Sequence, residues 1–233
     1  MAQAARGEPR SLPRMTDATA FTPTEHTTVR RLPDRAVYER DTIHAILDEA
    51  LTCHVAFVAD GRPFAIPTIH ARVGEKLYVH GSQASRMLRT IERGVNVCVT
   101  VTLVDGLVLA RSMFHHSLNY RSVVVLGRAT SVRDADEKHA ALLAITDHVL
   151  PGRTAEARSP NARELRATTV LAIPLAEASA KARTGWPIDD TEDLALPVWA
   201  GVLPLAVVAG VPVADPHTPR ARPVPASVTG WTR

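Results

Sequence analysis

The sequence predicts a mainly β protein with flanking helices, an α+β fold built around an antiparallel barrel. Apolar and β-branched segments with period-two alternation recur along the chain, and tight turns such as Asp60-Gly61 join most of them. Helical periodicity is confined to short segments between them. Six or seven strands, mostly joined in this way, are typical of an antiparallel barrel or sandwich and not of βαβ units. A closed barrel with helices packed outside fits this spacing best.

The first half of the chain is predicted to contain a helix, a β-meander and a second helix. Asp41 is a suitable cap ahead of apolar residues at helical spacing, and the residues at 60–61 and 73–75 are turn signals. Ser85 is a good N-cap and Gly94 a good C-terminal stop. The predicted elements are a helix at 41–51, strands at 52–59, 62–72 and 76–80, and a helix between Ser85 and Gly94.

The second half contains the clearest strand, in which polar and apolar residues alternate over 96–104. Asp105-Gly106 is expected to turn this strand back, and Gly127 indicates a bulge or a barrel corner. Pro174 is expected to kink a single later strand. The predicted elements are strands at 96–104, 107–110 and 121–132, a helix at 134–150, one kinked strand over 168–175 and 178–183, and a last strand at 198–208.

Composition divides the chain into three parts. Residues 1–33 are rich in Pro, Thr, Arg and Ala and predict a flexible N-terminal arm. Residues 214–233 contain several prolines and few large apolar groups and predict a flexible C-terminal tail. Residues 34–213 form the predicted domain. The long uncharged run at 194–214 is interrupted by prolines and glycines, so we expect no membrane span there.

Charge and cysteine content exclude several classes of protein. The formal net charge of +3 is only mildly basic and does not by itself indicate binding to nucleic acid. Aromatic residues make up 4% of the chain, which leaves few side chains on which bases could stack. Two cysteines cannot build a disulfide framework or a four-cysteine zinc site. The N-terminal residues lack the apolar core of a signal peptide, so we expect a cytoplasmic protein. We therefore expect neither a nucleic acid nor a membrane as partner.

One segment has the chemistry to hold a phosphate group. The common glycine-rich nucleotide loops are absent from the sequence, so a phosphate site has to come from side chains and a helix end. A predicted strand ends at His80, and Gly81 allows a tight backbone path. Ser82, Ser85 and Arg86 then add hydroxyl groups and a guanidinium group. The alternative is an ordinary helix start with a solvated arginine.

His115 and His116 invite a metal-binding interpretation. Adjacent residues on a strand point to opposite faces, and no cysteine or histidine lies at ligand spacing from this pair. We therefore predict no metal site, with two polar loop histidines as the simpler interpretation.

Three stretches together resemble a known family. They are residues 64–88 (FAIPTIHARVGEKLYVHGSQASRML), 115–132 (HHSLNYRSVVVLGRATSV) and 178–205 (ASAKARTGWPIDDTEDLALPVWAGVLPL). In their order and spacing they are similar to the FMN-binding split-barrel proteins related to pyridoxamine 5′-phosphate oxidase. Within that family the chain most resembles the branch with nitroimidazole-resistance-type flavoproteins. The similarity covers most of residues 35–205.

The resemblance implies a six-stranded antiparallel split barrel that forms a homodimer with two FMN molecules at its interface. The implied cofactor-binding residues fall into four groups: a strand beside the flavin ring (Ala65, Ile66, Pro67, Thr68), the ribityl and phosphate contacts (His80, Gly81, Ser82, Ser85, Arg86), the contribution of the partner subunit (Arg121, Ser122), and residues that close the site (Lys181, Arg183, Trp186). His70 is a candidate proton donor if it faces the flavin, because imidazole titrates near neutral pH. A structural histidine in the barrel wall is the alternative.

The chain departs from the oxidase itself at three positions. Met87 stands where the oxidase has a basic residue, His70 where it has a lysine, and Ser122 where it has a glutamine. We therefore expect an FMN-dependent oxidoreductase that acts on a small nitroaromatic or quinone-like electron acceptor, with a nicotinamide as reductant. Two alternatives stay open. One is a non-catalytic flavin- or haem-binding or sensing protein, with His115 and His116 as haem contacts, and the other is pyridoxamine 5′-phosphate oxidase.

Apolar side chains supply the last two expectations. The pocket for an uncharged acceptor is expected around Ile66, Pro67, Val79 and Leu107. The apolar face of the predicted strand at 96–104 needs cover, and a second copy of the chain is expected to provide it.

Overall fold

A computed structural model describes residues 19–232 and contains ten antiparallel strands. The strands are β1 (Ala36–Val37), β2 (Thr52–Ala59), β3 (Arg62–Val73), β4 (Lys76–Ser82), β5 (Asn96–Leu109), β6 (Ser117–Arg128), β7 (Thr130–Ser131), β8 (Thr168–Pro174), β9 (Glu177–Arg183) and β10 (Gly201–Pro204). The helices are α1 (Arg40–Glu49), α2 (Arg86–Ile91), α3 (Ala135–Val149), α4 (Ala162–Ala167) and α5 (Ala226–Thr229).

The strands form one continuous sheet in the order β1-β9-β6-β5-β2-β3-β4-β8-β7, with β10 paired to β5. The predicted meander of β2, β3 and β4 is confirmed, and Asp60 and Gly61 form its first turn with φ values of 51° and 71°. Two positive φ values are typical of the two-residue hairpin turn. The prediction of a mainly antiparallel split barrel is confirmed, although the strand number is ten rather than six.

The sheet curls until its two sides meet. A Cβ atom placed on Gly127, near the end of β6, would lie 3.9 Å from the side chain of Ile173 in β8. The chain therefore turns a corner of the barrel near Gly127, as expected. Strand β6 pairs with β5 and β9 and ends at Arg128, whereas the next strand, β7, pairs with β8. The predicted strand at 121–132 thus begins earlier and is divided in two.

Two clusters of buried side chains hold the layers together. In the larger cluster Val55, Val99 and Val125 are in register on neighbouring strands, and α1 covers them with Ile43 and Ile46. Burial of each such side chain stabilises the fold by about 1.5–3 kcal/mol. The smaller cluster lies between the β3–β4 sheet and α3.

The apolar face of β5 is part of this core. Val97, Val99 and Val101 are at most 3% exposed within a single chain. The expectation that a second copy covers this face is therefore wrong, because the barrel closes over it.

Three local predictions differ from the structure. Asp105-Gly106 does not turn the chain, because β5 continues to Leu109 with a β-bulge between Val104 and Gly106 while β6 pairs on both sides of it. Gly106 instead allows the backbone of β10 to lie close to β5, because a Cβ at this position would lie 3.0 Å from the carbonyl oxygen of Leu203.

The segment expected to be one kinked strand is two strands, β8 and β9, which pair in different parts of the sheet. The bend follows Pro174, where pairing with β4 ends. The last predicted strand, at 198–208, is reduced to β10.

Both ends of the described chain contact the body. Phe21 is 3% exposed, and the Arg40 guanidinium group lies 4.0 Å from the centre of its ring. In the tail, Trp231 Nε1 donates to the Val149 carbonyl oxygen at 3.0 Å. The rest of the predicted N-terminal arm, residues 1–18, lies outside the described residues. Among residues 19–232, every helix is too short or too polar to span a lipid bilayer.

Replacing Gly61 with Ala is expected to destabilise the protein by about 1–2 kcal/mol. A Cβ at this position meets no neighbour within 4 Å, so the cost comes from the left-handed backbone with φ 71° alone. Gly210→Ala is the matched control, since Gly210 has free space and no positive φ. Urea unfolding measures both changes, and equal midpoints for the two variants would contradict the assigned turn.

Candidate functional site

The first half of β3 has an unpaired edge, and this edge is the centre of the candidate site. Residues 62–69 pair with β2 on one side only, whereas the second half of β3 pairs with β4. Pro63 and Pro67 have no N–H group, so their pairs with β2 are not hydrogen-bonded. Residues of the same parity, including Ala65 and Ile69, therefore direct their backbone N–H and C=O groups toward the free edge.

The outer face of the sheet beside this edge carries small side chains. Ala65 is in register with Ala56 of β2, which is in register with Cys98 of β5. One step along, Pro67 lies opposite His54. A planar ring can lie against the small side chains of Ala65 and Ala56 while the strand edge binds the ring's polar rim.

The four residues predicted on this strand do not share one face. Ala65 and Pro67 are directed outward. Ile66 and Thr68 are in register with two buried core residues of β2 and lie on the same face of the sheet as those residues, although Ile66 remains 38% exposed. The backbone of this segment, rather than its side chains, is what the edge presents.

The predicted phosphate group lies at the start of α2. Ser85 caps the helix, with its Oγ accepting from the Leu88 backbone N–H at 3.4 Å. The guanidinium carbon of Arg86 lies 4.3 Å from the centre of the Phe64 ring. This cation–π contact places Arg86 beside the free edge of β3, because Phe64 belongs to that strand. No carboxylate pairs with Arg86 among the described residues.

Gly81 and His80 have different positions. A Cβ on Gly81 would lie 3.0 Å from Leu88 Cδ1, so the glycine lets α2 pack closely on the end of β4. His80 is directed to the other side, where it faces α3. Burial lowers the pKa of His80, so the imidazole is neutral at pH 7. Ser82 is exposed, and its Oγ accepts from the Ala84 N–H at 3.2 Å.

Two further arginines stand beside Arg86. A pocket of ≈ 380 Å³ next to the β2–β3 hairpin is lined by Arg86, Arg89, Arg93 and one acidic residue, Asp60. Within the described ranges none of the three arginines forms an ion pair. The pocket is therefore positively charged and favours an anion.

His70 is buried in the protein interior, as expected for a structural histidine and not for a proton donor that faces a flavin. Its side chain is fully buried, its Nε2 lies 2.9 Å from the Leu47 carbonyl oxygen, and its ring centre lies 4.8 Å from that of His148. The His148 Nε2 lies 2.8 Å from the Ala50 carbonyl oxygen. The two rings thus join β3, α1 and α3, and His70 has no exposed surface for contact with a ligand in the described chain.

Arg121 and Ser122 point to opposite faces of β6. The Arg121 guanidinium group bonds to Asp105, with Nη2 2.7 Å from Oδ1, and to both carboxylate oxygens of Glu49. These bonds raise the pKa of Arg121 above its ordinary value, the bond to Glu49 having the largest effect. Ser122 Oγ donates to the Lys181 carbonyl oxygen at 3.1 Å, and Lys181 Nζ to the Arg31 carbonyl oxygen at 2.8 Å.

Arg183 supports the loop that carries Trp186. It is 7% exposed, and its guanidinium group donates to Asn119 Oδ1 at 2.5 Å and to the Trp186 carbonyl oxygen at 3.0 Å. Burial lowers the pKa of Arg183 from its ordinary value. Trp186 itself is 75% exposed. Arg183 therefore positions the loop, and Trp186 is the side chain that the loop presents.

Sequence reasoning missed two residues of this region. Asp189, whose side chain is 2% exposed, accepts from the Arg111 backbone N–H at 2.7 Å and from its guanidinium group at 2.8 Å. Phe64 is the platform for Arg86. The acidic pair at 189–190 was a visible signal, whereas nothing local links Phe64 to Arg86.

His115 and His116 have separate partners. His115 Nε2 lies 3.0 Å from Asp190 Oδ2, and His116 Nδ1 lies 3.0 Å from the Ser112 carbonyl oxygen. Among the described residues, no group of three or more His, Cys, Asp or Glu side chains is arranged to hold a metal ion.

The described chain is a split barrel with an open strand edge, and arginines without a carboxylate partner lie beside that edge. The family model described as pyridoxamine 5′-phosphate oxidase matches residues 39–182, more than half of the chain. The protein belongs to this family. A comparison with curated proteins finds no match.

Two solved structures are similar over nearly their whole length. The flavocytochrome Anf3 from Azotobacter vinelandii is 39% identical with a TM-score of 0.84, covering 91% of this chain and 99% of that one. The FAD and heme binding protein from Mycobacterium smegmatis is 40% identical with a TM-score of 0.81, covering 85% of this chain and 97% of that one.

A third structure supports the fold alone. It is described as a putative 5-nitroimidazole antibiotic resistance protein from Bacteroides thetaiotaomicron. It is 23% identical with a TM-score of 0.54, covering 63% of this chain and 85% of that one. Family membership and the two structures described as a flavocytochrome and as an FAD and heme binding protein support flavin binding in general.

Replacing Arg121 with Met is expected to destabilise the protein by about 1–2 kcal/mol, because Glu49 and Asp105 then face each other without their shared cation. Arg128→Met is the control, since Arg128 bonds only to the exposed Asn96 side chain in the described contacts. Urea unfolding measures both. Equal stability of the Arg121 variant and the parent would show that the network contributes nothing.

Proposed function

We propose that this protein binds FMN along the free edge of β3 and acts as a flavin-dependent oxidoreductase. The observation that carries the proposal is the combination of an unpaired strand edge with Arg86 held beside it by Phe64. A flavin has the matching parts: a planar ring with polar atoms on one rim, and a phosphate at the end of a flexible chain.

The ring is proposed to bind the backbone groups of Ala65 and Ile69, with the small side chains of the outer face below it. The phosphate is proposed to bind Arg86, with Ser82 and Ser85 as further hydrogen-bonding groups. FMN is the smallest flavin that uses this set. Arg89 and Arg93 line the same pocket as Arg86, and the second phosphate of FAD would fall to them.

When bound, the flavin supplies two-electron redox chemistry. The chain's own part in the proposal is to orient the ring and to anchor the phosphate, while Trp186 and the loop held by Arg183 close one side. The proposed acceptor is a small nitroaromatic or quinone-like molecule, and the proposed reductant is a nicotinamide. His70 is left out of the chemical step because it is fully buried.

Pyridoxamine phosphate is a poorer candidate substrate. Met87 is 9% exposed and belongs to the hydrophobic core, so the position after Arg86 offers no charge to a second phosphate. A dianionic substrate needs several cationic or hydroxyl groups next to the ring.

Haem binding is a second candidate function, favoured by the two relatives described as a flavocytochrome and as an FAD and heme binding protein. One observation in this chain fits it. His116 is exposed, and its Nδ1 is anchored on the Ser112 carbonyl, which is how ligating histidines are oriented. Met113 and Phe114 beside it are 91% and 90% exposed, an apolar surface that a porphyrin would cover. His116 is the proposed haem contact, with His115 held by Asp190.

We also propose that the protein is a homodimer. The uncharged segment after β10 leaves Val208, Val211 and Val213 at least 81% exposed, and Trp199 is 69% exposed. Monomeric proteins rarely expose contiguous apolar surface beyond a few hundred Å². A second copy covers the same patch twice by two-fold symmetry.

The purified protein is expected to absorb near 450 nm and to release a flavin on denaturation, whose mass distinguishes FMN from FAD.

Arg86→Ala is expected to weaken flavin binding by about 1.5–3 kcal/mol through loss of a charge-assisted hydrogen bond. Arg163→Ala on the exposed start of α4 is the control. Parent-like flavin affinity in the Arg86 variant would place the phosphate elsewhere, and a Soret band would identify haem.

Light scattering is expected to give twice the chain mass of 25.2 kDa. Val211→Asp is expected to shift the protein toward the monomer at micromolar concentration, because it buries a charge in the proposed interface. Val224→Asp, at a half-exposed position in the tail, is the control. A stable monomer in the presence of flavin would refute the homodimer.

A further inference from the structure

A cavity of ≈ 510 Å³ lies between the β3–β4 sheet, α3 and the loop that follows α3. Its wall on the helix side consists of Leu142, Leu143, Val149 and Leu150. The size is in the range of small-molecule pockets. The cavity is not where an apolar pocket was expected, since Val79 is fully buried in the core and Leu107 lies opposite Leu203 of β10.

The cavity begins where the free edge of β3 ends. Ile69 is the last residue of the edge half of β3, and it also lines the cavity. His80, on the neighbouring strand β4, lines it from the same sheet. A molecule in the cavity is therefore adjacent to a ring bound along the strand edge.

The charged groups at the rim are already neutralised. Arg158 bonds to both carboxylate oxygens of Glu164, at 2.9 and 2.7 Å, and Arg153 lies 3.2 Å from Glu156. The bond from Arg158 lowers the pKa of Glu164 to about 2, so this pair stays ionised at physiological pH. With its cations paired, the rim offers little attraction to an anion.

One polar group in the wall lacks a partner. His80 Nδ1 is buried and has no hydrogen bond among the described residues. Its imidazole is neutral at pH 7, because burial lowers its pKa. Buried polar atoms are nearly always paired, so an unpaired one next to a cavity is a place where a ligand atom can supply the partner after a small ring rotation.

We infer that this cavity binds the electron acceptor, and that the acceptor is an uncharged, largely apolar molecule of two or three fused rings with an oxygen that bonds to His80. The inference rests on the proposed function, since an acceptor presupposes the flavin beside it. The acceptor would therefore lie on the α3 side of the sheet. A neutral quinone or nitroaromatic is expected to bind there, and a phosphorylated or carboxylated substrate is not.

The test uses the purified holoprotein and two probes, 1,4-naphthoquinone and its 2-sulfonate. The neutral quinone is expected to bind and the sulfonate to bind at least about tenfold more weakly. Leu143→Trp and Thr146→Phe place larger side chains in the cavity wall. Each is expected to raise the quinone dissociation constant at least about tenfold while the flavin absorbance stays at the parent level. Ala140→Trp, on an exposed part of α3 that does not line the cavity, is the control.

Thr146 is exposed, so its replacement keeps the test valid if Leu143→Trp fails to fold. Unchanged quinone binding in the folded variants, or tighter binding of the sulfonate, overturns the inference. A haem Soret band that shifts in Leu143→Trp or Thr146→Phe also overturns it, because the cavity then holds a dianionic cofactor. Protein that carries no flavin refutes the proposed function instead, and the two binding measurements then still decide whether the cavity takes a neutral ring.

Discussion

The barrel and the candidate site both follow from the divided pairing of β3. Its first half pairs with β2 and its second half with β4, so the strand belongs to both sides of the barrel. Pro63 and Pro67 are compatible with the pairing to β2, because they occupy positions where the ladder requires no N–H from them. The same prolines leave the free edge without two donors, so the edge offers its N–H groups only at Ala65 and Ile69. A strand that closes the barrel thereby also presents the open edge of the candidate site.

The arginines fall into two groups, those that form ion pairs within the fold and those without a carboxylate partner in the described chain. Arg72, Arg111, Arg121 and Arg158 each bond to carboxylates that join distant parts of the chain or fix a loop. Arg86 and Arg89 of α2, and Arg93 just after it, have no such partner within residues 19–232. Net charge alone does not reveal this difference, since a formal charge of +3 does not show which cations lack a carboxylate partner. The positive potential of the pocket next to the β2–β3 hairpin arises from where carboxylates are missing, and that is a property of the folded chain.

Local signals were reliable where the determining interaction lies within a few residues. The hairpin at Asp60-Gly61, the Ser85 cap of α2 and the helix that begins after Asp134 were all predictable, because each depends on a turn or on a side chain bonded to a nearby N–H. The Asp105-Gly106 dipeptide carries the same turn signal and does not turn. There the partners β6 and β10, far away in sequence, hold the strand straight on both sides of the bulge.

The strand-rich class, the β2–β3–β4 meander and the family were all predictable from the amino-acid sequence, because period-two patterning, turn residues and short motifs are local properties. The sequence also placed Ser85 and Arg86 at a helix start. Three other features depend on contacts between distant segments: His70 packs between Leu47 and His148, Arg121 bonds to Glu49 and Asp105, and the barrel covers its own valines at 97, 99 and 101. The direction and the partner of a side chain depend on strands and helices that come together only on folding, and no spacing along the chain contains that information.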